Sequence, residues 1–269
     1  MSLIPNFAML GSGPTVLMLH DADTDHLGFA PQVELLASQG YRAIAWDMPG
    51  YHNNPPPYAG YSLSALANTA DALLEAMKIG RAHIVGHGLG AMVAAELALR
   101  HPTRVRSLSL VAGGPALDAA AQKHWVGTRQ RLLAETQAQA CTEAVQLQRF
   151  AEQLVQLQSG QKALPEGLQL ARHAITQIQP LAYGRVLEML AGPNSLAERL
   201  PHISQRTLLV SGAQDVCMPP ARMQALAEQL PQAQHHSLEG VGHWPQLENP
   251  DTFEGLLLDF LAQQRATLH

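Results

Sequence analysis

One short segment of the chain has the form of a turn that presents a nucleophile, but a glycine stands where the nucleophile belongs. The segment leaves an apolar stretch, Ala82 to Val85, passes through Gly86-His-Gly88-Leu-Gly90 and continues as an apolar helical stretch. In the pattern G-x-S-x-G, the central serine lies on a sharp strand-to-helix turn that exposes its hydroxyl for attack on an acyl carbon. The sequence therefore predicts a nucleophile elbow with Gly88 at the nucleophile position.

The same segment also fits a dinucleotide-binding turn. Gly86, Gly88 and Ala91 match G-x-G-x-x-G/A, in which glycines let a pyrophosphate approach the backbone. That turn follows the first strand of its fold and precedes an acidic residue about 20 positions later. Here two strand-like segments come earlier, and Val111-Ala-Gly-Gly stands where the acid is needed. The context favours the elbow.

An acid and a histidine follow the elbow at positions suited to catalysis. Asp215 comes just after the apolar run Thr207 to Ser211, and His243 lies on a glycine-rich loop just after the run Gln234 to Leu238. The chain order of elbow, acid and histidine is that of the Ser-Asp-His triad of α/β-hydrolases.

These residues need elements that bring them to one edge of a sheet. Short, mainly apolar runs predict strands at Val16 to His20, Tyr41 to Asp47, Ala82 to Val85, Val105 to Val111 and Thr207 to Ser211. The alternation with helices predicts a last strand at Gln234 to Leu238. Helical spacing predicts helices at Ala30 to Gln39, Ser62 to Lys78, Leu89 to Arg100, Pro220 to Leu230 and Asp251 to Ala262. Alternating strands and helices indicate an α/β fold with a mainly parallel sheet and helices on both faces.

The alternation is interrupted between two strands. After Gly113-Gly114-Pro115, only helical patterns occur until about Leu200. We expect residues 1–115 and 201–269 to form the core, with 116–200 as a helical cap over the carboxyl edge of the sheet. Ligands of open α/β sheets bind at that edge.

Nearly the whole chain resembles the α/β-hydrolase superfamily, close to the capped bacterial enol-lactonase, esterase and C–C hydrolase group. The resemblance rests on the Gly86 to Ala91 turn with the following Arg100-His-Pro-Thr-Arg-Val-Arg-Ser-Leu, on Trp46-Asp-Met-Pro-Gly and on Val241-Gly-His-Trp-Pro-Gln-Leu-Glu. It implies that Asp215 orients His243, and that His243 is the general base. It also implies an oxyanion hole built from the backbone N–H groups of Ala22 and Leu89.

The chain departs from the family pattern at two places. Gly88 replaces the serine, and His20-Asp21 replaces the His-Gly usual at the oxyanion loop. Loss of the serine leaves a main-chain oxyanion hole intact, whereas a carboxylate of Asp21 pointing inward opposes a developing oxyanion. In a serine protease, loss of the serine alone costs about 10⁶ in rate.

Three hypotheses about function follow. In the first, His243 with Asp215 activates a water in the space vacated at Gly88, or deprotonates the substrate directly, as histidine does in cofactor-free lyases and oxygenases of this fold. In the second, the protein binds a small ligand without catalysis. In the third, it is a serine hydrolase carrying a Ser-to-Gly change.

Composition excludes several other classes. The 269 residues carry a net charge of −5, which argues against nucleic acid or an anionic membrane surface as partner. No apolar run is long enough for a membrane span. Two cysteines far apart in the chain, and a start from Met1 to Leu10 without basic residues, favour the cytoplasm. A small-molecule substrate or ligand is the expected partner, and the oligomeric state stays open.

The segment from His20 to His26 is rich in metal-ligand types. It is not an EF-hand loop, since His26 stands at the sixth position and Gln32 at the twelfth. We interpret it as a solvated polar loop, and we expect neither a metal nor a cofactor.

Overall fold

Strands and helices alternate along the chain on both sides of a long helical segment. The computed structural model describes residues 4–52, 54–57, 60–114, 119–193 and 195–266. The strands are β1 (Phe7–Leu10), β2 (Thr15–Leu19), β3 (Arg42–Trp46), β4 (Ala82–His87), β5 (Val105–Val111), β6 (Thr207–Gly212) and β7 (Ala233–Leu238). The helices are α1 (Ala30–Ser38), α2 (Leu63–Ala76), α3 (Leu89–Arg100), α4 (Ala119–Gln137), α5 (Glu143–Gln158), α6 (Pro165–Thr176), α7 (Pro180–Ala191), α8 (Leu196–Arg199), α9 (Pro220–Gln229), α10 (Pro245–Glu248) and α11 (Pro250–Ala266).

The seven strands form a single sheet in the order β1-β3-β2-β4-β5-β6-β7. All neighbouring pairs are parallel except β1 with β3, which are antiparallel. The α/β fold with a mainly parallel sheet is thereby confirmed. Parallel pairing brings the carboxyl ends of β2, β4, β5 and β6 to one edge, which is where the candidate residues lie.

Helices cover both faces of the sheet and bury two separate cores. Successive side chains of a strand point to opposite faces. Leu17 and Ile84 accordingly lie in the core under α2 and α3, whereas Val16 and Val85 lie in the core under α1 and α11. Strands buried on both faces explain why the sequence shows continuous apolar runs rather than alternation.

Between β5 and β6, the described residues 119–193 and 195–206 form helices and no strand, from α4 to α8 and a following 3₁₀ turn at Leu200–His202. Residues 115–118, where the boundary of the cap was expected, lie outside the described residues. The division of the chain into a core and a cap domain therefore stays a prediction, although α4 and α7 do line the pocket described below.

The structure differs from the sequence-based expectation in two respects that matter. The antiparallel strand β1 was not expected, because its four residues are mostly exposed and show no buried run. The loop after β2 is also not a solvated polar loop. Asp21, Asp23, Thr24 and Asp25 are all buried, so this loop is part of the interior.

Candidate active site

The turn between β4 and α3 keeps the backbone of a nucleophile elbow. Gly88 has φ of 53° and ψ of −115°, the left-handed side of the map, where a side chain is strained. A Cβ at Gly86 would lie 2.3 Å from the carbonyl oxygen of Gly90, and one at Gly90 would lie 1.9 Å from that of Leu19. The flanking glycines are therefore needed for close packing between turn, helix and strand.

The predicted acid and histidine meet at the carboxyl edge of the sheet. His243 Nδ1 lies 2.9 Å from Asp215 Oδ2, so the expected hydrogen bond is present. The other oxygen of Asp215 accepts the backbone N–H groups of Cys217 and Met218 at 2.7 and 3.0 Å. These bonds fix the carboxylate, and the carboxylate in turn fixes the imidazole with Nε2 directed towards the elbow.

The space that a side chain at position 88 would occupy is filled by the carboxylate of Asp21. A Cβ at Gly88 would lie 2.0 Å from Asp21 Oδ1 and 2.2 Å from its Cγ. Asp21 Oδ2 lies 3.4 Å from His243 Nε2, on the side of the ring opposite Asp215. The position expected to be vacant for a water therefore holds a carboxylate, and Asp21 points inward.

The same carboxylate engages the backbone group expected to hold an oxyanion. The N–H of Leu89 donates to Asp21 Oδ1 at 2.6 Å, a short charge-assisted bond. Ala22, the other expected donor, is buried directly after Asp21 in the chain. An oxyanion formed at this place would have to displace the carboxylate or lie beside its negative charge.

Charges in the site favour an imidazolium between two carboxylates. Burial opposes ionisation of His243, but Asp215 and the hydrogen bond to Asp21 raise its pKa well above the usual range. Burial likewise opposes ionisation of Asp21, yet the hydrogen bond from His243 and nearby positive charge lower its pKa. The pKa of Asp215 is lowered, because His243 outweighs the cost of burial. The raised pKa of His243 therefore favours its protonated form between the two carboxylates.

The backbone of the Asp21 loop is held by buried polar side chains. His20 Nδ1 donates to the carbonyl of Asp21 at 2.7 Å, while His20 Nε2 accepts from the N–H of Met48 at 2.9 Å. The hydroxyl of Tyr51 donates to the carbonyl of Ala22 at 2.7 Å. These bonds leave the side chain of Asp21 directed at the elbow.

A buried cluster around Asp23 ties the same loop to the helices between β5 and β6. Arg129 of α4 donates through Nε to both oxygens of Asp23 at 2.9 Å, and its Nη2 makes a further short contact. The hydroxyl of Tyr183 of α7 donates to Asp23 at 2.6 Å, and the side-chain amide of Gln158 of α5 donates at 3.2 Å. Trp125 stacks on the guanidinium of Arg129, whose carbon lies 3.5 Å from the ring centroid.

The loop that carries His243 is fixed by a buried glutamate. Glu248 accepts the backbone N–H groups of Gly160, Gly242 and Trp244 at 2.7 to 3.0 Å. His87, next to the elbow glycine, lies with Nε2 2.7 Å from the carbonyl of His243. Burial lowers the pKa of His87 to about 4, so this ring is neutral and donates from Nε2.

A narrow, mainly apolar pocket of about 30 Å³ opens beside these groups. Its floor contains Asp21, Gly88, Leu89 and His243, and Cys217 contributes a half-buried thiol whose pKa is raised by desolvation. The remaining lining side chains are mostly apolar and come from the strand ends, α3, α4, α7 and the loop after β6: Met92, Ala112, Gln122, Trp125, Leu190 and Met218. The pocket therefore places Asp21 and His243 beside mainly apolar walls.

The sequence predicted Gly88, Asp215, His243, Leu89 and Ala22 at this edge. The structure brings the first four together, whereas Ala22 follows Asp21 in the chain but does not line the pocket. Sequence reasoning missed Arg129, since a basic residue on a helix is usually exposed. It also missed the role of Glu248. The only signal for Arg129 was its spacing of one helical turn from Trp125, which puts both on one face.

Comparison with known proteins agrees with this architecture. Residues 14–250 match the family model described as alpha/beta hydrolase fold. A pimeloyl-acyl-carrier-protein methyl ester esterase of Aeromonas hydrophila is 32% identical over 260 residues, covering 93% of this chain and 96% of its own. A 2-hydroxy-6-oxononadienedioate/2-hydroxy-6-oxononatrienedioate hydrolase of Dechloromonas aromatica is 29% identical, covering 93% and 88%.

Solved structures share the fold over nearly the full length. The enol-lactonase of Burkholderia xenovorans superposes with a TM-score of 0.80 at 22% identity and covers 96% of both chains. A thermophilic esterase of Thermogutta terrifontis gives 0.83 at 22% identity, covering 96% and 93%. The chain belongs to the α/β-hydrolase fold family, and its relatives support a hydrolase class of enzyme. Within the described ranges, no helix has the length and apolar character needed to cross a membrane.

Proposed function

We propose that this protein hydrolyses a small molecule of the ester, enol-lactone or C–C bond class without a serine nucleophile. The observation that carries the proposal is the buried array Asp215–His243–Asp21 at the floor of the pocket. His243, oriented by Asp215, is its acid, and Asp21, in the space of the missing serine side chain, is its base. Neither a metal nor a cofactor is required for this reaction.

The array holds one transferable proton between Asp21 and His243. In the resting state His243 is the imidazolium and Asp21 the carboxylate. An attacking water gives its proton to Asp21 while its oxygen bonds to the substrate carbonyl carbon, and His243 gives its proton to the leaving group. Transfer from Asp21 Oδ2 to His243 Nε2, 3.4 Å apart, then restores the starting state. This scheme differs from the first hypothesis, in which a water fills the space at Gly88, because the carboxylate of Asp21 fills that space.

Rates should be modest. General acid–base catalysis contributes about 10² to 10⁴ in rate. The N–H of Leu89 already donates to Asp21 and is not free to donate to an oxyanion. Stabilisation of an oxyanion at this place is therefore weak. We therefore expect slow turnover compared with relatives that form an acyl-enzyme.

One observation favours a second function, the binding of a small ligand without chemistry. The bond of 2.6 Å from Leu89 N–H to Asp21 Oδ1 occupies the donor that acyl chemistry needs. A protein that had lost catalysis would tolerate this arrangement, and the pocket would still enclose a small apolar ligand.

Hydrolysis of a panel of short esters, enol lactones and vinylogous diketones by wild type and His243→Ala separates these functions. We expect wild-type activity on one class, and a loss of about 10² to 10⁴ in kcat/KM in His243→Ala. His173→Ala, an exposed histidine on α6, is the matched control and should retain full activity. Equal rates in wild type and His243→Ala on every class would contradict the hydrolase proposal and support ligand binding.

A further inference from the structure

Two buried carboxylates outside the pocket face two histidines. Asp25 follows β2, at the start of the 3₁₀ turn His26–Phe29, and Asp47 directly follows β3. The side chains of Asp25 and Asp47 are only 2% and 5% exposed, and those of His26 and His52 are about one quarter exposed. We call these four residues the Asp25–His52 cluster. Among the described residues, its hydrogen bonds and ion pairs involve none of the groups that the proposed reaction uses.

The carboxylate oxygens and ring nitrogens of these four side chains lie close to one another. Asp25 Oδ2 lies 2.8 Å from His52 Nε2, Asp47 Oδ1 lies 2.8 Å from His26 Nδ1, and His52 Nε2 lies 3.8 Å from Asp47 Oδ1. The ligand atoms of Asp25, His26 and His52 all lie within 4.8 Å of one another. In a tetrahedral zinc site with ligand distances of about 2.0–2.1 Å, neighbouring ligand atoms are about 3.4 Å apart. Asp25, His26 and His52 lie near that spacing, and Asp47 joins them through its contacts with both histidines.

The charges of the cluster suit a divalent cation. In the part of the chain that the structure describes, the ion-pair partners of Asp25 and Asp47 are histidines, with neither lysine nor arginine among them. Two buried carboxylates without a permanent cation carry a large desolvation cost. One divalent ion supplies both positive charges, and two imidazoles beside two carboxylates favour zinc over calcium or magnesium.

The backbone also holds the ligands in place. Asp25 Oδ1 accepts from Leu27 N–H at 2.8 Å, which leaves Oδ2 for a ligand. Asp47 Oδ1 accepts from the N–H of His26 at 3.1 Å. His52 has φ of 48°, a left-handed conformation that is strained in a residue with a Cβ and that turns up often at ligand sites.

We propose that the Asp25–His52 cluster binds one Zn²⁺ ion through Asp25, His26, Asp47 and His52. The ion would join the loop after β2 to the turn after β3. Because Asp25 lies four residues after Asp21 on that loop, the ion would stabilise the segment that carries Asp21 without touching substrate.

Calorimetric titration of tag-free, EDTA-treated protein with ZnCl₂ tests the proposal. We expect one site per chain with micromolar or tighter affinity, and a rise in Tm of about 5 °C at 100-fold excess over Kd. His26→Ala and His52→Asn should each weaken binding by at least about 10–100-fold. Asparagine is chosen at position 52 because it tolerates left-handed backbone. A circular dichroism spectrum confirms that each variant is folded.

Two controls exclude other zinc ligands. Cys217→Ala removes a member of the second group able to hold a metal, Asp215 with Cys217 and His243, and should bind Zn²⁺ like wild type. A His235→Ala/His236→Ala variant removes a pair of neighbouring histidines on β7 and should also bind normally. The proposal is overturned if wild type binds no Zn²⁺ at 0.1 mM (about the limit for a specific site), if His26→Ala and His52→Asn bind like wild type, or if Cys217→Ala abolishes binding.

Discussion

The two sides of the pocket differ in how much of the catalytic machinery of a serine hydrolase they retain. On one side, Asp215 and His243 are joined by a hydrogen bond of 2.9 Å, and their loops are fixed by backbone N–H groups. On the other side, the elbow backbone is kept, but Gly88 carries no nucleophile and Asp21 fills its space. The two substitutions are complementary in volume, because the carboxylate fits only where a side chain at position 88 is absent.

This complementarity predicts strong coupling between positions 21 and 88. Gly88→Ser alone should gain no ester hydrolysis over wild type and should lose stability, since its Cβ would lie 2.0 Å from Asp21 Oδ1. Asp21→Gly alone frees the amide of Leu89 but supplies no nucleophile. The double variant Asp21→Gly/Gly88→Ser should hydrolyse short esters at least about 10³-fold faster than either single variant.

Steady-state kinetics of the four proteins, with unfolding midpoints for each, measures this cycle. The Asp21→Gly single variant is the control for loss of the carboxylate. If Gly88→Ser alone is as active as the double variant, Asp21 does not obstruct the elbow and the comparison of the two sides fails.

The loop that carries Asp21 is anchored to α4 by the buried pair of Asp23 and Arg129. Arg129→Met would leave the carboxylate of Asp23 buried without its cation, which typically costs about 3–5 kcal/mol in the free energy of unfolding. Arg131→Met, two residues along the same helix, removes only an exposed pair with Glu135 at 3.9 Å and should cost at most about 0.5 kcal/mol.

Urea denaturation of both variants compares the two costs. A loss for Arg129→Met no larger than for Arg131→Met would show that the Asp23 cluster does not hold the loop to the helices. If the hydrogen bond between His243 and Asp215 is intact in Arg129→Met, the loss affects the Asp21 loop and leaves the other side of the pocket unchanged.

The sequence allowed most of the side with Asp215 and His243 to be predicted. It allowed little of the contacts made by Asp21 and its loop to be predicted. Runs such as Val105 to Val111 predicted strands correctly, since a strand buried on both faces leaves a continuous apolar pattern. Asp215 could be located because it follows such a strand, whereas His243 follows the largely polar β7 and was located by its glycine-rich loop and the resemblance to the family. The inward direction of Asp21 and the pairing of Asp23 with Arg129 depend on contacts over 67 and 106 residues, between positions 21 and 88 and positions 23 and 129. Local patterns carry no record of such contacts.

A smaller effect is expected from His87, which supports the His243 loop. Its pKa is lowered to about 4 by burial, against 6.5 for an exposed histidine. The unfolded chain therefore binds a proton between pH 6.5 and 4 that the folded protein does not. This contribution is complete above pH 6.5 and is lost as the pH falls towards 4, at up to about 1.4 kcal/mol per pH unit.

His87→Gln keeps a side-chain N–H for the carbonyl of His243 and removes the titration. Between pH 4 and 6.5, the free energy of unfolding of this variant should fall less steeply than that of wild type. Parallel curves would mean that His87 takes up its proton in the folded state and is not held neutral.

The central claim is that the carboxylate of Asp21, in the space of a serine, holds His243 as an imidazolium. Nitrogen-15 NMR of the histidine rings tests it directly, with wild type compared with Asp21→Asn from pH 6 to 9. We expect both ring nitrogens of His243 to be protonated in wild type at pH 8, and its pKa to fall in Asp21→Asn. A neutral His243 in wild type at pH 7, or the same pKa in both proteins, would contradict the account.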